Sequence, residues 1–468
     1  MADVSRLRSW LRGYYHSDLR DLIAEQVPAG ACVLDLGCGE GDLLSGLSPR
    51  WGVGVDIDDA TIHRASRRHP ELSLMVADME RLPLKGTFDF IIASNTVGFL
   101  RDVQAFFESL RRNVDPSTRI IVTYYNFIWE PVLKLAQRLK LKRPEPVLNW
   151  LSRADLTNLV ELAGFETVAS GYRSPVPVGP LPIARPLNRA LGLVPLVNRV
   201  GITSYVVARP AGLHVPAAEE EPSVSVVIPT LNERGNVKDA LERMPRLAAR
   251  QEIIFVDGNS TDGTGEEIQA QMSAHEDLDI KLIHQGASAG KGDAVRKAFA
   301  AAHGEILMIL DADLTVPPED LPKFYRAMVK GEGEFVNGSR LVYPMEKQAM
   351  RFANILGNKF FSIVFSWIIR QRITDTLCGT KTLWATDYQR IAANRAAFGD
   401  SDPFGDFDLL FGAAKLGLQI REVPIRYQPR TYGETSISRW RNGLHLLKMA
   451  LIGAWKLRLT RAARSPSN

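Results

Sequence analysis

Residues 305–321 read EILMILDADLTVPPEDL, an unbroken apolar run that ends on two carboxylates, Asp311 and Asp313. Short runs of Ile, Leu and Met without polar alternation are how strands buried on both faces read, as in parallel sheets covered by helices. Acids at i and i+2 just past such a strand can turn toward one point. Carboxylates anchored that rigidly suit Mg2+ or Mn2+, which share their remaining positions with phosphates. On its own, DAD reads more readily as an acidic turn after a strand, so the flanking stretches decide. SVSVVIPTLNERGNV (223–237) sets a strand over Val224–Ile228 that stops at Pro229 and passes through Asn232 and Glu233 into a helix. EIIFVDGNSTDGT (252–264) ends a second strand at Asp257 and follows it with Gly, Asn, Ser and Thr, a composition that wraps a nucleobase and ribose. Lys291 opens a further helical pattern just ahead of the acidic strand.

The first half repeats the theme. In ACVLDLGCGEGDLLSGL (31–47) an apolar strand, Cys32 to Leu36, runs into a turn holding Gly37, Gly39 and Gly41, and then a helix. Such a loop lets backbone approach a ligand closely, and a second strand, GVGVD, brings Asp56 to the place where an acid accepts from ribose hydroxyls. Asp78 in LMVADME and a fourth strand over Phe88–Val97 complete the set. The expected class is therefore α/β with two doubly wound domains. RPAGLHVPAAEEEP (209–222) lacks either hydrophobic period and reads as the linker, giving domains 1–209 and 223–460, a linker 210–222 and a tail 461–468.

With 468 residues the chain suits two domains. A net charge of +4 and no aromatic-basic patch near Asn95 speak against a nucleic-acid partner. Cys32, Cys38 and Cys378 form no CxxC pair, which fits a reducing compartment without structural zinc. The N-terminal residues lack an apolar signal core, so a cytoplasmic chain is expected. No stretch offers about 20 apolar residues free of charge, so spanning a membrane is disfavoured while lying on one is not. Trp440–Leu459 puts Arg441, His445, Lys448 and Lys456 on one helical face and Leu444, Leu447, Leu451 and Trp455 on another. That pattern fits an interfacial helix or one docked on the core. The apolar, proline-broken stretch Val176–Val200 reads as a substrate lid, a membrane-touching insert or a packed loop.

Through VLDLGCGEG, GVDID and VADME, the first domain resembles the class I S-adenosylmethionine-dependent methyltransferases, and is similar to their MetW-like members. The resemblance implies a Rossmann-like fold binding S-adenosylmethionine, with Asp35 and Gly37, Gly39 and Gly41 at the methionine end, Asp56 on the ribose and Asp78 near the adenine. No acceptor signature follows the fourth strand, and neither His63 nor His69 is assigned as a base. A regulatory, non-catalytic methyl-donor domain is the alternative. Through VIPTLNE, VDGNSTDGT and DAD, the second domain resembles the family-2 inverting glycosyltransferases. That implies a nucleotide-diphospho-sugar transferase (GT-A type) fold, with Pro229, Glu233, Asp257, Lys291, Asp311 and Asp313 on the nucleotide-sugar donor and Asp311 and Asp313 as metal ligands. NGSR, RFANILGN, TDTLCGTK, EVPIRY and RTYGETS look like the dolichol- or polyprenyl-phosphate sugar transferases. The implied acceptor is a lipid phosphate at the inner face of the cytoplasmic membrane. A monophosphate is already anionic at neutral pH and attacks without a strong base. Arg340, Arg351 and Arg430 are the guanidinium candidates for gripping it. A glycan hydroxyl would instead need a base, for which Asp408, or its neighbour Asp406, is the candidate. Where the family loop carries Lys, Ser436 stands here, with Arg439 as a substitute cation.

Overall fold

The computed structural model describes residues 2–139, 141–142, 149–175, 187–188, 191–192, 194–211, 221–287, 290–340, 352–395, 405–430, 432 and 439–459. Contacts divide the chain into two units, Met1–Leu213 with Leu459–Asn468, and His214–Arg458.

The first unit is built on β1 (Cys32–Leu36), β2 (Trp51–Asp56), β3 (Ser73–Val76), β4 (Phe90–Ser94), β5 (Arg119–Tyr125), β6 (Phe165–Arg173) and β7 (Thr203–Pro210). Their order across the sheet is β3-β2-β1-β4-β5-β7-β6, and all neighbours are parallel except that β7 runs against both β5 and β6. Alternate residues feed different cores: Leu34, Leu36, Ile91 and Ala93 enter one cluster, Val33, Phe90 and Ile92 the other. Burial on both faces is why these strands read as continuous apolar runs. The chain reverses direction in sheet order between β1 and β4, which puts a crevice at their carboxyl ends.

The second unit contains β8 (Val224–Thr230), β9 (Gln251–Asp257), β10 (Asp279–His284), β11 (Ile306–Ile309), β12 (Phe335–Ser339), β13 (Lys381–Trp384) and β14 (Ile420–Pro424). The order is β10-β9-β8-β11-β13-β12-β14, with β10, β9, β8 and β11 parallel and β13 antiparallel to both its neighbours. Ile306 and Met308 face one core, Leu307 and Ile309 the other. Both α/β sheets follow the expected class.

Some boundaries differ for physical reasons. β8 continues through Pro229 to Thr230 because its pairing with β11 ends at Val227, and beyond that point only β9 is bonded to it. A proline is tolerated where the strand has become an edge. β4 is shorter than Phe88–Val97: Asn95 turns to φ 57° and a single 3-10 turn, Val97–Phe99, follows. β7 is still paired at Pro210, the residue expected to open the linker.

Among the described residues, no helix is long and apolar enough to cross a membrane. Helix Arg439–Ala454 buries Leu446, Met449 and Ala450 in the second unit's core and leaves Leu447 and Leu451 exposed; the π-helical turn after it, Trp455–Leu459, leaves Trp455 exposed. The segment is thus docked on the core through Leu446, Met449 and Ala450, with Leu447 and Leu451 turned away from it. The side chains of Arg441, Leu444 and His445, the residues Arg351 and Ser436, most of RTYGETS and much of Val176–Val200 lie outside the described residues.

Candidate functional site

Three adjacent parallel strands, β9, β8 and β11, end along one edge of the second sheet, and their loops are laced together there. The Gly258 amide donates to the Thr230 carbonyl at 2.8 Å, and the Thr261 amide to Asn232 Oδ1 at 2.8 Å. Glu233 and Arg234 amides donate to Thr264 Oγ1 at 3.0 Å and Asp262 Oδ2 at 3.2 Å. Asn232 and Asn259 adopt φ of 56° and 63°, a region Asn tolerates better than most residues. The result is a rigid shelf made of backbone and short polar side chains.

Onto this edge come four acids and two cations. Asp311 Oδ1 lies 2.5 Å from Lys291 Nζ. Burial pushes the Asp311 carboxyl up, but Lys291, with Lys381 and Arg340 behind it, outweighs that and holds it below the usual carboxylate range. Asp313 accepts from the Thr315 amide and hydroxyl through Oδ1, while its Oδ2 sits 2.7 Å from Arg430 Nη2. The same guanidinium places Nη1 3.8 Å from Glu233 Oε1. Glu233 is pushed up by burial, against the pull of Asn236 and Arg430. Asp257 is nearly buried, accepts from the Ser260 amide at 3.1 Å, and has His284 Nδ1 3.7 Å away.

The structure therefore pairs Lys291 with Asp311 and joins Glu233 to Asp313 through Arg430, both at the edge where Pro229 and Asp257 end their strands. Other candidates have partners elsewhere. Arg340 is spent on Asp375, with Nε at 2.6 Å and Nη2 at 2.8 Å, and stacks over Tyr427 at 5.3 Å. It influences Asp311 through its charge, and its Nε–Nη2 edge faces Asp375. Asp408 accepts from Arg395 Nε at 2.8 Å. Sequence reasoning missed Gly379: a Cβ there would stand 2.0 Å from Asp311 Oδ2 and 2.5 Å from Lys291 Nζ. The glycine in TDTLCGTK was the available signal, but nothing local shows what it faces.

No group of three or more His, Cys, Asp or Glu able to hold a metal is found among the described residues. Asp311 and Asp313 are two hard donors, each with a cationic side chain in place. A Mg2+ or Mn2+ would find two carboxylate donors in this pair and would need phosphate oxygens or water for the rest of its shell.

In the first unit the glycine turn has φ of 77°, 53° and 76° at Gly37, Gly39 and Gly41. A Cβ at Gly37 would lie 2.2 Å from Thr96 Cγ2, so no other residue fits. Asp56 reaches beneath the loop and accepts from the Gly39 amide at 2.9 Å and the Asp58 amide at 3.0 Å, with a further lone pair left on each oxygen. Asp78 accepts from the Glu80 amide at 2.9 Å and caps a short turn. Asp35 is buried with neither carboxylate oxygen hydrogen-bonded. Burial, and then the charge of Asp56, push its carboxyl up to about 7. An orphaned buried acid beside an open glycine loop fits the ammonium of a methyl donor's methionine end. Tyr15, not anticipated, donates to Asn95 Oδ1 at 2.8 Å and stacks on Tyr125 at 5.4 Å.

Comparison with known proteins returns the same two classes. Residues 225–390 match the family model "Glycosyl transferase family 2", and residues 7–170 match "Methyltransferase domain". The two matches fall one in each unit. It is 38% identical over 109 residues to the dolichol-phosphate mannosyltransferase of Saccharomyces cerevisiae, covering 22% of this chain and 40% of that one. It is 28% identical over 228 residues to the undecaprenyl-phosphate mannosyltransferase of Micrococcus luteus, covering 46% and 87%. The chain therefore spans less than half the length of the yeast relative. An S-adenosylmethionine-dependent methyltransferase structure from Mesorhizobium loti aligns at 19% identity and TM-score 0.30, covering 39% of this chain and 92% of that one. The fold assignment rests on the strand order instead.

Proposed function

We propose that the second unit transfers a sugar from a nucleotide-sugar to a polyprenyl phosphate at the inner face of the cytoplasmic membrane, and that the first binds S-adenosylmethionine and methylates an acceptor whose identity is open. The observation that carries the sugar-transfer reading is Arg430 bridging Asp313 and Glu233 while Lys291 holds Asp311. One guanidinium and one ammonium held by acids at a polar shelf are poised to pass to a diphosphate.

A bound Mg2+ or Mn2+ would supply neutralisation of the charge that builds on the leaving diphosphate. Asp311 and Asp313 would hold it, and the shelf from Asn232 to Thr264 would take the nucleoside, with Asp257 fixing the loop. Lys291 and Arg430 orient phosphate oxygens. The acceptor phosphate carries its own nucleophilic charge and needs no proton removed. Arg395 occupies Asp408, which favours this acceptor over a glycan hydroxyl requiring that carboxylate as base. Arg430 remains a candidate contact for either phosphate, and Arg351 a candidate outside the described residues.

The test is a panel of nucleotide-sugars, mannose nucleotides first, with and without a polyprenyl phosphate and with Mn2+ or excess chelator. Lipid-linked product that forms only with metal is expected; donor hydrolysis indifferent to the lipid would overturn the acceptor assignment. Gly379→Ala should lower transfer by roughly a hundredfold with the circular dichroism unchanged, because the added methyl displaces the Asp311 carboxylate by about the distance that misplaces a reacting group. Full activity in that variant would detach Asp311 from the site.

Peripheral membrane association is part of the same reading. Outward-facing Leu447, Leu451 and Trp455 provide an apolar stripe beside the exposed Phe360 and Ile363 of another apolar helix, Phe352–Ile369. The chain is expected in unwashed native membranes and in the supernatant after carbonate or high salt; recovery only in the soluble fraction before washing would count against it.

A further inference from the structure

The helix Glu130–Arg138 of the first unit breaks the rule its neighbours obey. Helix Val103–Leu110 buries four side chains and Arg153–Leu162 buries two, whereas Glu130–Arg138 buries none. Leu133 is half-buried, but two of its apolar residues point outward: Val132 is 52% exposed and Leu135 55%, and Leu139 just beyond the helix is 60% exposed. At 3.6 residues per turn these three fall within roughly 60° of one another, with Lys134 and Arg138 along one flank.

The patch extends past the helix. Phe127 and Ile128, in the 3-10 turn leading into it, are exposed. Trp129 in that turn donates its indole N–H to the Val200 carbonyl at 2.8 Å, and Asn126 donates to the carbonyls of Arg199 at 3.0 Å and Gly201 at 2.8 Å. These bonds set the exposed Val200 against the same turn. Contiguous apolar surface of this kind on a folded protein marks a contact surface.

What it contacts follows from charge. From Glu130 to Arg143 the chain reads EPVLKLAQRLKLKR, with five Lys or Arg against a single Glu. That Glu is already paired to Lys134 at 2.5 Å, and Lys142 sits over the Tyr125 ring at 5.2 Å. An apolar helical face with an aromatic rim and a basic flank is the complement of an anionic lipid surface, whose head groups take the cations while the acyl boundary takes the side chains. We propose that the methyltransferase unit itself seats on an anionic phospholipid bilayer through Phe127, Ile128, Val132, Leu135 and Leu139, flanked by Lys134 and Arg138. The helix follows the carboxyl end of β5, beside Asn95 and the glycine turn, so the seat lies on the ligand edge of that sheet. This seat is separate from the stripe in the second unit and stands whether or not the sugar-transfer reading holds.

The test uses the full chain in a Cys32→Ser background, with a polarity-sensitive fluorophore on Leu135→Cys and, as control, on Leu162→Cys, exposed on another helix of the unit. On phosphatidylcholine vesicles containing phosphatidylglycerol, the Leu135 label should shift to the blue and be quenched by nitroxide-bearing acyl chains, and the Leu162 label should not. Replacing Lys134 and Arg138 by Gln should weaken the vesicle affinity read by this label roughly thirtyfold. The proposal is overturned if the chain sediments with vesicles while the Leu135 label stays in water, since the second unit alone would then be binding. It is equally overturned by a blue shift that grows with protein concentration without lipid, which would mean a second copy covers the face. A label shielded before vesicles are added would mean the chain covers it, and equal shifts on neutral vesicles would remove the anionic partner.

Discussion

Replacing Asp313 by alanine is expected to abolish sugar transfer, by two to three orders of magnitude or more, while binding of S-adenosylmethionine to the same protein stays unchanged. Asp313 is the carboxylate that Thr315 orients from its own loop and Arg430 pairs at 2.7 Å, so its loss would remove one of the two proposed metal ligands and one acid from Arg430. Removing one preorganised electrostatic contact at a developing charge costs about 10² to 10³ in rate, and losing a metal ligand as well adds to that. Transfer is read with a radiolabelled nucleotide-sugar and donor binding by calorimetry. Retention of transfer in a folded Asp313→Ala chain would sink the proposed site. Loss of methyl-donor binding together with transfer would sink the two-site picture.

The second expectation concerns Asp35, buried and without a hydrogen-bond partner, with its carboxyl raised to about 7. A carboxyl whose folded pKa lies above its unfolded value near 3.9 binds more protons in the native state between those two values. Stability of the ligand-free first unit should therefore fall as pH rises from about 4 to about 7 and level off above. S-adenosylmethionine brings an ammonium that favours the charged form, so binding at pH 6 should release a proton, and affinity should rise toward pH 7.5. Calorimetry at pH 6 in buffers of differing ionisation enthalpy reads that proton directly. Asp35→Asn should flatten the stability profile, abolish proton release and weaken binding roughly tenfold to a hundredfold, the range for a hydrogen bond to a charged group. A methyl donor that binds Asp35→Asn as tightly as the parent would leave the buried acid without a role.

What could be read from residues alone was whatever is local. Gly37, Gly39, Gly41, Asp257, Asp311 and Asp313 stand at strand ends, and a strand end followed by a helix fixes an edge of the sheet within a few residues. The matches at 7–170 and 225–390 fall in the two halves where those motifs occur. Long-range pairing was not legible. The NGSR motif points Arg340 to a phosphate, yet Asp375, in TDTLCGTK, accepts from its Nε and Nη2. Arg430 was placed near phosphate, but its bridge to Glu233 joins segments at opposite ends of the unit. Gly379 and the exposed face of Glu130–Arg138 were silent for a related reason. The first shows itself only by what an added methyl would strike, and the second is an amphipathic pattern that a docked helix shares.

Helix Arg439–Ala454, apolar toward the core and apolar again along Leu447 and Leu451, has a practical consequence. In plain buffer its outer stripe will seek whatever greasy surface is at hand: plastic, chromatography resin or another molecule of the same protein. Yield and turnover should then depend on mild detergent or nanodiscs, and a preparation that looks inert in their absence would reflect handling before chemistry.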